Sequence, residues 1–168
     1  MAKGKKQEGN GSGIMRFIFY LALSFLIPYS SGILIEKAVI KSWEDFGFTP
    51  YQARQWWESG IRSRSVAISW RSKWFEPVEA AAWRTMKIPP DEAKEWKDGG
   101  FSLADAMEWR RYAFAPTLAS GWRKVEFSLG DAIGWRKHSF EPEEAAKWRG
   151  SGVSPMTAAE ERRGGRVP

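Results

Sequence analysis

Residues 123–135 read RKVEFSLGDAIGW, and this thirteen-residue pattern recurs along most of the chain. Trp83, Trp96, Trp109, Trp122, Trp135 and Trp148 stand thirteen apart, and Trp70 and Trp57 extend the row backwards at the same spacing. Internal periodicity of this kind outranks other sequence signals, because each copy is one structural unit that buries its apolar face on its neighbours. With the quoted stretch numbered 1 to 13, position 5 is aromatic or aliphatic throughout, from Phe48 and Ile61 to Phe140 and Val153. Position 10 is alanine in every copy, Ala53 to Ala158, and position 13 is tryptophan until Glu161 replaces it in the last. A basic residue follows the tryptophan at Arg71, Arg84, Lys97, Arg110, Arg123, Arg136, Arg149 and Arg162.

Positions 6 to 9 write a helix start. Thr49, Ser102, Ser128 and Ser154 are N-cap residue types, able to accept from an orphan amide of the first turn. Proline follows at Pro50, Pro77, Pro90, Pro116, Pro142 and Pro155, where the first helical position needs no amide. Gln52, Asp105 and Asp131 stand three beyond a cap, which is capping-box spacing or its acidic variant. Position 5 precedes the cap and position 10 lies four into the helix, so Phe and Ala match a hydrophobic staple. Glycine at position 4 (Gly47, Gly100, Gly152) suits the left-handed residue that ends a helix. Each copy therefore predicts a helix of about nine residues and a turn of about four. Isolated helices shorter than ~12–15 residues are marginal, so the copies must hold one another. Ala at 10 and Trp at 13 share a helix face, and Trp70, Trp83, Trp96, Trp109, Trp122, Trp135 and Trp148 are the expected structural core.

The N-terminal residues are of another kind. Residues 1–13 are polar, glycine-rich and basic, the composition of a disordered tail. Residues 14–35 are apolar apart from Arg16 and three serines. As a helix they span roughly 33 Å, against a hydrocarbon core of about 30 Å. They are read as a single transmembrane helix that continues to Trp43; a cleaved signal peptide, which would leave a secreted product, is the rival reading. The basic residues before the span favour a cytoplasmic N-terminus and a repeat domain outside the cytoplasm. The expected organisation is a tail at 1–13, a transmembrane and juxtamembrane helix at 14–43, a Trp-rich helical repeat domain at 44–161, and a basic tail at 162–168. The fold class is all-α: one transmembrane helix and a solenoid of about nine single-helix repeats. Its stacking logic is similar in style to tetratricopeptide and other α-solenoid arrays, while thirteen residues is none of their periods.

Chemistry is sparse. The chain has no cysteine and one histidine, His138, so no thiolate or multi-histidine metal site exists. No serine–histidine–acid arrangement, paired-carboxylate site or phosphate loop is recognisable, and neither catalysis, a cofactor nor a small-molecule substrate is expected. The formal charge is +6, but removing the residues before Phe17 leaves 22 basic and 19 acidic ones. That balance makes nucleic acid a poor candidate partner. The leading expectation is a membrane-anchored scaffold or adaptor subunit that binds a partner protein or assembles with itself near the bilayer. The alternative is an anionic-polymer binder (nucleic acid, cell-wall polymer or anionic lipid) using the row Arg71, Arg84, Lys97, Arg110, Arg123, Arg136, Arg149 and Arg162.

Overall fold

In the computed structural model, which describes residues 37–168, every regular element is helical and none of the described residues forms a strand. The described residues fall into two compact units, one ending at Glu58 and the other running Ser59–Pro168. The first holds a helix over 37–44 (α1) and Pro50–Glu58 (α2). The second holds Arg64–Arg71 (α3), Pro77–Thr85 (α4), Pro90–Asp98 (α5), Leu103–Arg111 (α6), Pro116–Lys124 (α7), Leu129–Lys137 (α8), Pro142–Gly150 (α9) and Pro155–Arg163 (α10). No helix among the described residues is long and apolar enough to cross a membrane. The tail at 1–13 and the segment 14–35 read as a span lie outside the described residues.

Helix α2 and helices α4 to α10 start by one of two devices, whereas Ser63 before α3 makes no cap bond and no proline follows it. Ser102 and Ser128 form complete capping boxes with Asp105 and Asp131. Thr49 does the same with Gln52, its amide donating to Oε1 at 3.0 Å and its Oγ1 accepting from the Gln52 amide at 3.2 Å. In α4, α5, α7 and α9, where no cap side chain is bonded, proline opens the helix, at Pro77, Pro90, Pro116 and Pro142. Its fixed φ is already helical and it lacks the amide that would go unpaired. Ser154 and Pro155 use both devices.

Most of the helices end by one device, repeated. The amide at position 5 donates to the carbonyl of the preceding tryptophan, as Phe101 to Trp96 and Phe127 to Trp122, each at 3.0 Å. The amide at position 4 donates to the residue after that tryptophan, as Gly100 to Lys97 and Glu126 to Arg123. These are the two bonds of a Schellman motif, which requires a left-handed residue between them. Glycine fills that place at Gly100 and Gly152, but Trp74, Lys87, Ala113, Glu126 and Ser139 hold it with φ of 65, 57, 58, 60 and 61. The apolar contact that accompanies such a motif is here the ring pair itself. Trp70–Phe75, Trp96–Phe101, Trp109–Phe114, Trp122–Phe127 and Trp135–Phe140 meet edge to face with centroids 4.9 to 5.2 Å apart. The same phenylalanine precedes the next helix and touches its tryptophan, as Phe101 on Trp109 at 5.7 Å and Phe127 on Trp135 at 6.0 Å. One side chain thus closes a helix and opens the next.

The register differs from the sequence reading at the N-terminal end. Trp56, three beyond Ala53, is buried, while Trp57 is half-buried. Trp56 takes position 13, and the row runs Trp43, Trp56, then Trp70 one residue late. Trp43 is 2% exposed and packs on Phe48 at 5.1 Å; it belongs to the regular register rather than lying outside it. Ile40, buried three before it, stands where later copies have alanine. The extra residue is Arg62, between Ile61 and the helix cap Ser63. At the other end α10 runs through Arg163, and Gly165 (φ 89) and Arg166 close it with the same two bonds. The array therefore passes the boundary at 161. Glu161, in the tryptophan position, pairs with Arg166 at 2.8 Å.

Packing in the second unit has a period of two repeats. α5 packs on α7 and α7 on α9, as well as α4 on α5 and α9 on α10. Among α5, α7 and α9, helices next but one in sequence thus stack directly. The tryptophans follow the alternation: Trp70, Trp96, Trp122 and Trp148 are among the most completely buried side chains, while Trp83, Trp109 and Trp135 keep a sliver of exposure. Alanine at position 10 is fully buried, because a larger side chain there would hold the backbones apart. The arrangement is consistent with a helical-repeat solenoid whose structural unit is a helix pair.

Candidate functional site

The repeated cations were the candidate contacts, so their surroundings decide what the repeat surface offers. Most are consumed internally. The Arg123 guanidinium lies over the Phe101 ring at 3.6 Å, donates to the Gly100 carbonyl at 2.6 Å, and faces Asp105 at 3.7 Å. Arg149 lies over Phe127 at 3.9 Å and donates to the carbonyls of Val125 (2.8 Å) and Glu126 (3.0 Å). Arg162 lies over Phe140 at 3.9 Å, donates to the carbonyls of His138 and Ser139, and pairs with Glu144 at 3.2 Å. Arg136 lies over Phe114 at 4.6 Å and donates to Ala113 at 2.9 Å. Lys97 sits 4.7 Å from the Phe75 centroid and pairs with Glu79 at 2.8 Å. Arg110 pairs with Glu92 at 2.9 Å. Arg71 is half-buried and engaged as well.

The geometry is regular. The ring under each cation lies twenty-two residues earlier, in the turn after the helix two back; the acid lies eighteen earlier, on the helix one back. A cation with both partners, as Lys97, Arg123 and Arg162 have, joins three helices. The carbonyls it reaches are the exposed negative end of a helix, where a cation contributes ~0.3–1 kcal/mol, and the ring face adds about 0.5–1 kcal/mol at such half-open sites. The guanidinium serves the terminus two helices away and a phenylalanine, because next-but-one stacking brings that turn within reach.

The tryptophans at 70, 83, 96, 109, 122, 135 and 148 are all buried, leaving no ladder of ring faces for bases or sugars to stack on. The Trp96 indole donates to Glu92 at 3.2 Å. The Trp122 and Trp148 indole nitrogens are buried and meet no acceptor among the described residues. The acceptor position four before Trp122 is Leu118. His138 is half-buried, and its carbonyl accepts from Arg162 at 2.8 Å. Among the described residues no cluster of three or more metal-ligating side chains occurs.

What faces outward is not repeated. Positions 2 and 8 are exposed in every copy of the second unit, and their chemistry varies: Asp98, Arg111, Lys124 and Gly150 at 2; Val78, Asp91, Thr117 and Met156 at 8. Large apolar side chains stand exposed among them, notably Trp74 (84%), Val78 (77%), Met156 (61%) and Tyr112 (50%). Sequence reasoning missed Trp74, which lies outside the tryptophan row; its place at position 4, where glycine is common, was the available signal. No family model, curated protein or solved structure matches this chain, so its reading rests on the geometry.

Proposed function

We propose that this chain is a membrane-anchored helical-repeat adaptor, holding a partner protein or further copies of itself close to a bilayer. The observation that carries this is the division of labour within the repeat. The residues that recur are consumed in packing, while the exposed positions differ from copy to copy and include isolated apolar side chains. A surface of varied chemistry on a stiff array suits one shaped partner. Residues 14–35 supply the anchor, with the array outside the cytoplasm. The alternative, a row of cations gripping an anionic polymer, loses support because Lys97, Arg110, Arg123, Arg136, Arg149 and Arg162 already have partners.

The test is to extract tagged full-length chain in mild detergent and measure its mass and composition. A stoichiometric companion, or a defined oligomer, is expected. A monodisperse monomer without a companion, together with binding to polyanions that falls steeply with salt, would favour the alternative.

A further inference from the structure

Arg84 breaks the rule that the other cations follow. In the row from Arg84 to Arg162, each later cation finds an acid eighteen residues before it, a ring twenty-two before it, or both. Arg110 has Glu92 although Ile88 replaces the ring. Arg136 has the Phe114 ring although Leu118 replaces the acid. At Arg84 both are gone: the acid position is Val66, and the ring position, allowing for the inserted Arg62, is Ile61. Arg84 is exposed, and its guanidinium makes no ion pair, hydrogen bond or ring contact among the described residues.

Arg84 lines an open recess of roughly 350 Å³ together with Lys87, Ser69 and the apolar edges of Val66, Ile88 and Pro89. Lys87 is held there at φ 57. No acidic residue lines the recess. Its size is at the small end of ligand sites, about 300–1,000 Å³. Arg84 presents a planar fork of donors matched to two oxygens of one oxyanion, and Lys87 adds a second positive charge. Two cations at one rim suit a dianion better than a carboxylate.

We propose that this recess binds a phosphate monoester carried on a small apolar body: the phosphate meets Arg84 and Lys87, and the body lies along Val66, Ile88 and Pro89. Such a group is offered by a free alkyl or aryl phosphate and by a phosphatidic-acid headgroup.

Phenyl phosphate titrated calorimetrically into the full-length chain in neutral detergent at low salt tests the proposal. Saturable binding is expected, weakened about tenfold or more by Arg84→Gln, which removes a charge-assisted fork. Val66→Glu restores the acid that later cations have. It should abolish binding by drawing Arg84 into an internal pair, with thermal stability kept or raised, so that loss of binding cannot be ascribed to unfolding. Arg111→Gln, an equal charge change on α6, should leave binding unchanged. Weakening of phenyl phosphate binding by nanodiscs containing phosphatidic acid, but not by phosphatidylcholine nanodiscs, identifies the lipid headgroup as the source; indifference to both identifies a soluble phosphate. Absence of saturable binding to the wild-type chain, or binding that survives both Arg84→Gln and Val66→Glu, overturns the proposal.

Discussion

Single residues in this protein are defined by their position in the repeat, and that makes their energetics comparable from copy to copy. Trp56 and Trp57 are the sharpest case. Two adjacent tryptophans satisfy the thirteen-residue row equally well when counted from opposite ends, so spacing between tryptophans does not separate them. The local spacing does: an indole three beyond the alanine shares its buried face, and that selects Trp56. Trp56→Ala should lower stability by about 3–5 kcal/mol, as truncation of a buried tryptophan does, and Trp57→Ala by about 1 kcal/mol; matched urea midpoints measure both. A second case is Trp122, whose buried indole lacks the acceptor that Glu92 gives Trp96. Leu118→Glu supplies it and also the acid that Arg136 lacks. It should raise stability by about 1 kcal/mol, and an unchanged or lowered midpoint would show that the indole is otherwise satisfied. The left-handed residues form a third set. Glu126→Gly removes a side chain from φ 60, where a Cβ costs ~1–2 kcal/mol, partly offset by the freedom glycine gains when unfolded. A net gain of about 0.5 kcal/mol in the same assay is expected.

At the scale of the element, each nine-residue helix is specified by its ends. The caps, prolines and staple residues were legible in the sequence because they act within one turn of chain, and local side-chain chemistry decides them. Destinations of the cations were not legible. Their side chains reach a turn two helices away, and only the stacking of next-but-one helices brings that turn near. The two-repeat period was hidden for the same reason, since the alanine and tryptophan that mark the repeat are the same in both halves of the pair. Helix α6 shows how a cap and the inter-helix pairing combine. The amide and hydroxyl of Ser102, with a lesser contribution from Arg123, hold the Asp105 carboxyl below the usual aspartate range despite some desolvation. A carboxylate whose pKa is depressed on folding stabilises the fold above its unfolded pKa, and that contribution disappears as pH falls through the folded value. Asp105→Asn should therefore be less stable than wild type at neutral pH. The gap should shrink as pH falls below about 4, which parallel thermal melts at several pH values will show. A gap independent of pH would mean that the cap acts through geometry alone.

For the whole molecule, the repeat works as a self-supporting array whose recurring side chains are engaged with one another. Helices this short do not persist alone, so stability comes from indoles and phenyl rings filling the spaces between helices and from cations tying each turn to a helix two further on. On the proposed function, the variable positions define what the array meets. It also explains why the fold was readable from one sequence and the function was not: periodic residues report the interior, and a single sequence does not say which of its unrepeated side chains touch another molecule. The Arg84 recess became visible only once the ties made by the other cations were known.

The claim beneath all of this is that the indole row is the packed interior of the array. Trp109 lies midway along the second unit, between Phe101 and Phe114, and replacing it tests that claim with least ambiguity. Urea or thermal unfolding of full-length Trp109→Ala beside wild type should show a loss of about 3–5 kcal/mol and a clearly lower midpoint. A midpoint close to wild type would mean that the rings are a displayed surface, and would contradict the packing described here.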